Sequence, residues 1–226
     1  MMAMQKKELS NKLFLVLSAI FVASLVTCNL IANKFVSIDL GFKTFIVSAG
    51  ILPYPITFLV TDILSEIFGR KKANLVVFSG FIASVLVLLF LWLGSVFNAI
   101  PISPIDDSTY NLVFQNASRV ILASMVAYLL AQFIDVRMFH FWKKMTHGRH
   151  LWLRNNFSTI GSQLVDTILV VSILFIGVWE PAKIIQAIID GFLFKMLIAF
   201  IDTPLFYLFS GLIRRKFNLK LGEELV

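Results

Sequence analysis

The segment Pro53-Tyr-Pro55-Ile-Thr57-Phe58-Leu-Val-Thr61-Asp62-Ile-Leu-Ser65-Glu66-Ile-Phe-Gly69-Arg70-Lys71-Lys72 decides the fold. It is apolar enough to cross a bilayer, yet it carries two carboxylates and ends at a glycine followed by a basic cluster. A helix here places Asp62 and Glu66, four residues apart, on one face. Thr61 and Ser65 lie beside them. The prolines remove backbone donors and predict a kink or break near the outer half of the helix. Glu66 lies near the inner end, where Arg70 or Lys71 offers a rim ion pair, and Asp62 lies deeper.

The same contradiction recurs along the chain. Arg119, Asp135, Asp166, Lys195 and Asp202 also fall within apolar runs. Each ionisable group costs about 2.5–3.5 kcal/mol at the centre of a bilayer. Left unpaired, the set of seven would cost on the order of 20 kcal/mol, more than the stability of a typical domain. These groups must face one another, a polar cavity or the water at the rims. Such a set predicts a protein that handles a polar solute between its helices.

Composition agrees. Of 226 residues, 58% are hydrophobic, and mean hydropathy is +0.87. That excludes an ordinary soluble domain. The net charge of +7 does not indicate a nucleic-acid surface, because the charges fall in short clusters between apolar runs. The single cysteine, Cys28, excludes an internal disulfide and reads as a small packing residue.

Six runs are long enough to span as helices: 13–32, 45–67, 75–97, 118–139, 158–178 and 184–213. The first follows Lys6, Lys7 and Lys12, as a signal peptide would. It is long for a signal-peptide core and lacks a clean cleavage site, so it reads as a retained span. With the amino terminus inside, fifteen Lys and Arg residues fall in cytoplasmic segments, against Lys34, Lys43 and Lys183 outside. The positive-inside rule therefore puts both termini in the cytoplasm. The expected architecture is an all-α membrane protein, one domain over 1–226. Two three-helix halves of opposite orientation would follow the inverted-repeat design of many transporters. The pair Gln132…Asp135 and Gln163…Asp166 lies in adjacent helices of one half and gives little support for such a repeat.

Span five is the most clearly striped. Asn156, Thr159, Gln163 and Asp166 recur at spacings of three and four, forming one polar line. Trp152, Arg154 and Asn155 lead into it. Interhelical hydrogen bonding uses such residues, but a line ending in a carboxylate exceeds what packing needs and predicts a solute-facing wall. Arg119 has the alternative of snorkelling outward, and Asp135 that of pairing with Arg137. Lys195 and Asp202 nearly share a face, so a buried lysine–aspartate ion pair, with the acidic groups of spans two, four and five as its further partners, is the structural alternative to a solute role.

These motifs resemble the queuosine precursor transporter family, part of the vitamin uptake transporter group. The resemblance rests on Pro55 to Ala73, on Arg119 to Asp135, on Leu151-Trp-Leu-Arg154-Asn155-Asn156-Phe-Ser-Thr159 with Gln163 and Asp166, and on Lys195 with Asp202-Thr-Pro204. It implies a six-helix protein of the bacterial inner membrane. The implied substrates are 7-cyano-7-deazaguanine, its aminomethyl derivative and, in some members, queuine, all imported for tRNA modification. The expected partners are that small molecule, the bilayer and a second copy in a homodimer, with no nucleic acid, cofactor or metal. A carboxylate accepts the two adjacent N–H donors of a guanine-like edge, with Glu66 the first choice and Asp62 and Asp166 its rivals. Asn, Gln or a cation suits the neighbouring carbonyl. Phe58, Trp152 and Phe157 are the candidate stacking rings.

Other functions remain open at this level. They are import of another vitamin or nucleobase-like solute, membrane component of a multi-subunit uptake system, intramembrane enzyme, and scaffold. No Ser-His pair, HExxH or paired-aspartate protease signature supports an enzyme. His140, His147 and His150 cluster with basic residues in or beside one expected cytoplasmic loop, as topology signals do.

Overall fold

The computed structural model describes residues 2–31, 34–41, 43–115, 118–177 and 180–225. Within these, the side chains of 2–4, 35, 46, 115, 118–124, 174 and 175 are not described. Helix α1, Met2–Ile31, carries the first expected span, whose last residue, Ala32, lies outside the described residues. Helix α4 is Ser118–Met145, α5 is Leu151–Phe175 and α6 is Pro181–Phe217. Each begins at or before its expected span. For α5, Val178 lies outside the described residues.

One departure from an all-helical chain is a hairpin of β1, Phe35–Asp39, and β2, Thr44–Ser48, with Phe35 opposite Ser48. It occupies ground where the second span was expected to begin. Phe45 and Val47 point one way from β2 and bury against Phe194 of α6. Lys43, at the hairpin tip, forms an ion pair with Asp190 of α6. A short 3₁₀ turn, Ala49–Ile51, then leads into α2, Tyr54–Val96. Pro53 caps α2 and Pro55 lies in its first turn. They start the helix and do not break it, because the first turn has no need of their missing N–H groups.

From Tyr54 onward the second expected span, and the third but for its last residue, lie in α2, and they part at Gly69. Its φ of 80° and ψ of 170° interrupt the helix, and only glycine takes this conformation without strain. Phe68 packs edge-on against Phe14 of α1, with ring centroids 5.4 Å apart. Lys72 lies over both rings. Beyond the break, Gly80 sits against Phe21 and Leu25, and Asn29 donates to Ser84 at 3.4 Å. This second arm therefore runs along α1 in the same direction. The first arm runs along α4: Tyr54 and Phe58 meet Tyr128, and Thr61 donates to Gln132 at 3.3 Å.

Between the spans, Asp106 caps the short helix α3, Asp107–Tyr110, accepting from the Thr109 N–H at 2.8 Å. Among the described residues, four stretches are long and apolar enough to cross a membrane: Gln5–Ile31, Ala49–Val96, Leu151–Ile173 and Pro181–Phe217. The chain is a multi-pass helical membrane protein. Many of its large apolar side chains face outward, among them Phe78, Phe90 and Trp92 of the second α2 arm and Phe200 and Leu208 of α6. Its polar side chains are concentrated between the helices.

Candidate functional site

The first arm of α2, together with α4, α5 and α6, encloses a column of buried polar side chains. It has three levels. At the Tyr54 end, Lys195 of α6 reaches Asp166 of α5 at 2.5 Å, with its ammonium over the Tyr54 ring at 4.7 Å. Tyr54, Phe58 and Tyr128 form an aromatic group, with centroids 5.2–6.1 Å apart. Gln132 donates to the Tyr128 hydroxyl at 2.5 Å. Lys195 thus pairs with Asp166, and the expected alternative pair with Asp202 does not form. The two ends of that alternative are two turns apart on one helix, while Asp166 faces Lys195 directly from α5.

The middle level holds Asp62 and Asp135, both buried. Thr159 of α5 donates to Asp62 Oδ2 at 3.5 Å, and Ser162 of α5 donates to Asp135 Oδ1 at 3.0 Å. Ser162 also donates to the Thr159 carbonyl at 3.0 Å, so the two hydroxyls that hold these carboxyls stand together on consecutive turns of α5. Asp135 does not pair with Arg137, whose exposed side chain points away from the column. Asp62 Oδ1, Asp135 Oδ2 and Gln163 Oε1 are buried without a hydrogen-bond donor among the described residues.

The third level centres on Glu66. Arg154 Nη2 lies 2.6 Å from Glu66 Oε1, and neither side chain is exposed. Lys143 of α4 and Arg214 of α6 stand farther off, at 3.9 and 4.0 Å. The carboxyl-terminal tail closes this level. The Gly222 N–H donates to Glu66 Oε1 at 3.3 Å, Glu224 pairs with Lys143 at 2.8 Å, and the Leu225 N–H donates to the Ile67 carbonyl at 2.6 Å. Glu66 therefore does not pair with Arg70 or Lys71. These lie past Gly69, where the chain has already turned outward, and both are exposed.

The stripe expected on α5 is present as such: Asn156, Thr159, Gln163 and Asp166 are all buried. Arg154 and Asn155 are buried with them. Asn156 also ties α5 to α6, accepting from the Thr203 hydroxyl at 3.0 Å. Of the three candidate stacking rings, only Phe58 is inside. Trp152 and Phe157 are about half exposed, with ring centroids 6.5 Å apart and planes tilted by 59°: Trp152 shares the stripe's face but sits in the first turn of α5, one turn before Asn156, and Phe157 points off that face. Arg119 lies on α4, but its side chain is outside the described ones.

Several contributors were not read from the sequence as site residues. Tyr128 stands four residues before Gln132, a helical spacing that would have found it. Ser162 and Ser158 widen the stripe by one position. Lys143 and Arg214 read as topology signals, since a cation at a helix end looks the same whether it faces water or a buried carboxylate. The tail residues Gly222 and Glu224 carry no local signal at all.

A multi-pass protein whose helices bury a polar column across their interior has the construction of a solute transporter. Comparison with known proteins assigns the chain more narrowly. It belongs to the vitamin uptake transporter family: the family model described as "Putative vitamin uptake transporter" matches residues 48–209, which include the column except for Arg214 and the carboxyl-terminal tail. The chain is 30% identical over 159 residues to a Bacillus subtilis protein named "Probable queuosine precursor transporter", covering 70% of this chain and 69% of that one. It is 27% identical over 162 residues to the Escherichia coli "Queuosine precursor transporter", covering 69% and 66%. A Haemophilus influenzae relative with the same name as the Bacillus one is 25% identical over 179 residues, covering 77% and 73%. These relatives are named as transporters, not enzymes. No solved structure matches the chain.

Proposed function

We propose that this protein imports queuosine precursors, 7-cyano-7-deazaguanine and 7-aminomethyl-7-deazaguanine, across the bacterial inner membrane for tRNA modification. The reading rests first on the relatives' names. The structural observation that carries it is the surplus of buried acceptors at the middle level: Asp62 Oδ1, Asp135 Oδ2 and Gln163 Oε1 have no donor. The aromatic group of Tyr54, Phe58 and Tyr128 borders this level: Thr61, next to Asp62, donates to Gln132, whose amide in turn donates to the Tyr128 hydroxyl. Unfilled buried acceptors call for N–H donors, and flat rings call for a flat partner. A deazaguanine edge supplies adjacent N–H donors on a planar base. In this reading Asp62 and Gln163 read the base edge, Phe58 and Tyr54 hold its face, and Glu66 organises the inner end.

The transport reading needs six spans with both termini inside. At 1.5 Å per residue, the 43 residues of α2 would extend about 65 Å, roughly twice the 30 Å of hydrocarbon. Its two arms, parting at Gly69, are therefore taken as two spans. With α1, α4, α5 and α6 they make six. Gly69, the turn before α5 and the carboxyl-terminal tail then share the cytoplasmic face, where the basic clusters lie.

The test is uptake of labelled 7-cyano-7-deazaguanine by bacteria that lack both its synthesis and any native importer, with restored queuosine in tRNA as the readout. Expression of this chain should restore both. Absence of uptake with the protein present in the membrane would overturn the reading. Competition with unlabelled guanine, queuine and unrelated vitamins ranks the substrate class.

A further inference from the structure

We propose that Asp62 and Asp135 together form a proton-binding site that holds one shared proton, so that import is coupled to inward proton movement. The inference rests on the transport reading above and adds what drives it.

Two features set this pair apart from the other buried carboxylates. Glu66 faces Arg154, and Asp166 faces Lys195. Asp62 and Asp135 have no Lys, Arg or His within ion-pair distance among the described residues. Each already has one oxygen engaged by a hydroxyl, from Thr159 and Ser162. Each keeps its other oxygen without a donor among the described residues, and the two hydroxyls that hold them are themselves linked along α5, Ser162 donating to the Thr159 carbonyl. Ionised carboxylates only accept, so two of them in contact offer acceptor to acceptor. Buried at low dielectric, the repulsion of two like charges is large. A proton between them removes one charge and supplies the missing donor. Carboxylate pairs of this kind share a proton in other proteins.

Asp135 lies at the α4–α5 contact, held by Ser162, and Asp62 is held by Thr159 one turn earlier on α5. The other ionisable groups of the column are Glu66 from α2, Arg154 and Asp166 from α5, and Asp202 and Lys195 from α6. Lys143 of α4 faces Glu66. Both Arg154 and Lys195 are engaged by their own carboxylates, which leaves the pair without a compensating cation. Gln163, one residue beyond Ser162, has its carbonyl oxygen unfilled and independently marks this level as short of donors.

In operation, a proton from the outer water occupies the pair, substrate N–H groups fill the remaining carboxylate oxygen and Gln163, and both leave to the cytoplasm. The emptied pair then bears two facing charges until it is reprotonated from outside. Proton and substrate move in the same direction, so charge and atoms balance without another reactant.

Two measurements decide the matter. The first needs no substrate: infrared difference spectra of the purified wild-type protein between acid and alkaline pH, with isotope-labelled aspartate. A protonated-carboxyl band should appear and should be lost in both Asp62→Asn and Asp135→Asn. A band absent from the wild type, or retained in both folded variants, would overturn the proton site. The second is uptake of labelled 7-cyano-7-deazaguanine into proteoliposomes. Exchange of internal for external substrate without any gradient tests the transport reading separately. An acid-outside gradient should stimulate wild-type uptake, and Asp135→Asn should lose that stimulation. Wild-type exchange that is indifferent to the gradient would refute coupling while leaving transport standing.

Discussion

Glu66 of α2 and Arg154 of α5 meet at 2.6 Å with both side chains withdrawn from solvent. The Arg154 guanidinium also donates to the Gly148 carbonyl at 2.7 Å and lies over the Phe139 ring at 5.6 Å. One pair thus joins the first arm of α2, the α4–α5 turn and the tail that reaches Glu66 through Gly222. Such a pair is a structural fastener: its charge is already matched before any solute arrives.

Removing one partner of a buried pair leaves an uncompensated charge, at a cost of about 3–5 kcal/mol. Arg154→Met should therefore lower the melting temperature of the purified protein sharply. The double substitution Arg154→Met with Glu66→Gln should recover part of the loss. A single variant that melts like the wild type would show that the pair is not a fastener.

The tail is held by backbone proximity as well as by charge. Gly222 has a φ of 83°, and a Cβ there would lie 2.9 Å from the Gly148 Cα. At Gly69, φ 80°, a Cβ would lie 2.1 Å from Glu224 Oε2. Gly222→Ala should displace the tail and destabilise by about 1–3 kcal/mol, and should expose Lys143 to amine-reactive labelling. Unchanged labelling of Lys143 would show that the tail does not cover it.

Asn156 links α5 to α6 through Thr203. Asn156→Ala removes a side-chain hydrogen bond worth about 0.5–1.5 kcal/mol. It should reduce thermal stability by that amount and reduce uptake, while Asn155→Ala should reduce uptake with membrane abundance near normal. Full transport by the double variant would remove this segment from the substrate path.

How much of this was legible beforehand can be judged residue by residue. The α5 stripe was readable because helical spacing alone puts Asn156, Thr159, Gln163 and Asp166 on one face. The two α2 arms were readable as separate apolar runs around Gly69-Arg70-Lys71-Lys72. The β hairpin was not, because Phe45 and Val47 belong equally to a strand's alternation and to a hydrophobic run. Which partner each charge finds was not readable either. Lys195 could reach Asp166 or Asp202, and Glu66 had Arg70 nearer in sequence, but pairing depends on how helices face one another. Trp152 and Phe157 have the chemistry of stacking rings, but Trp152 sits at the exposed start of α5 and Phe157 points off the striped face.

Topology carries its own test. A reporter at the carboxyl terminus should be cytoplasmic, and a cysteine probe in the loop at Asp107 should label from outside. The loop should be intact across the usable pH range. The Thr109 and Ser108 hydrogen bonds hold the Asp106 carboxyl down to about 2, below its ordinary 3.8. Because the folded value is depressed, the cap's contribution is present above 3.8 and is lost only as pH falls through about 2. Loss of the loop's conformation between pH 8 and pH 5, followed by a fluorophore already attached at that position, would contradict this.

The central claim is that Asp62 reads the base, and substrate affinity measures it directly. Labelled 7-cyano-7-deazaguanine should be titrated against purified wild type and Asp62→Asn, each shown to be folded by its melting transition. Replacing the carboxylate by an amide presents a donor to the ligand's N–H groups and loses a charged hydrogen bond, a cost of about 1.5–3 kcal/mol, or roughly 10- to 150-fold in affinity. A loss in that range is the expected result. Unchanged affinity in folded Asp62→Asn would contradict the account.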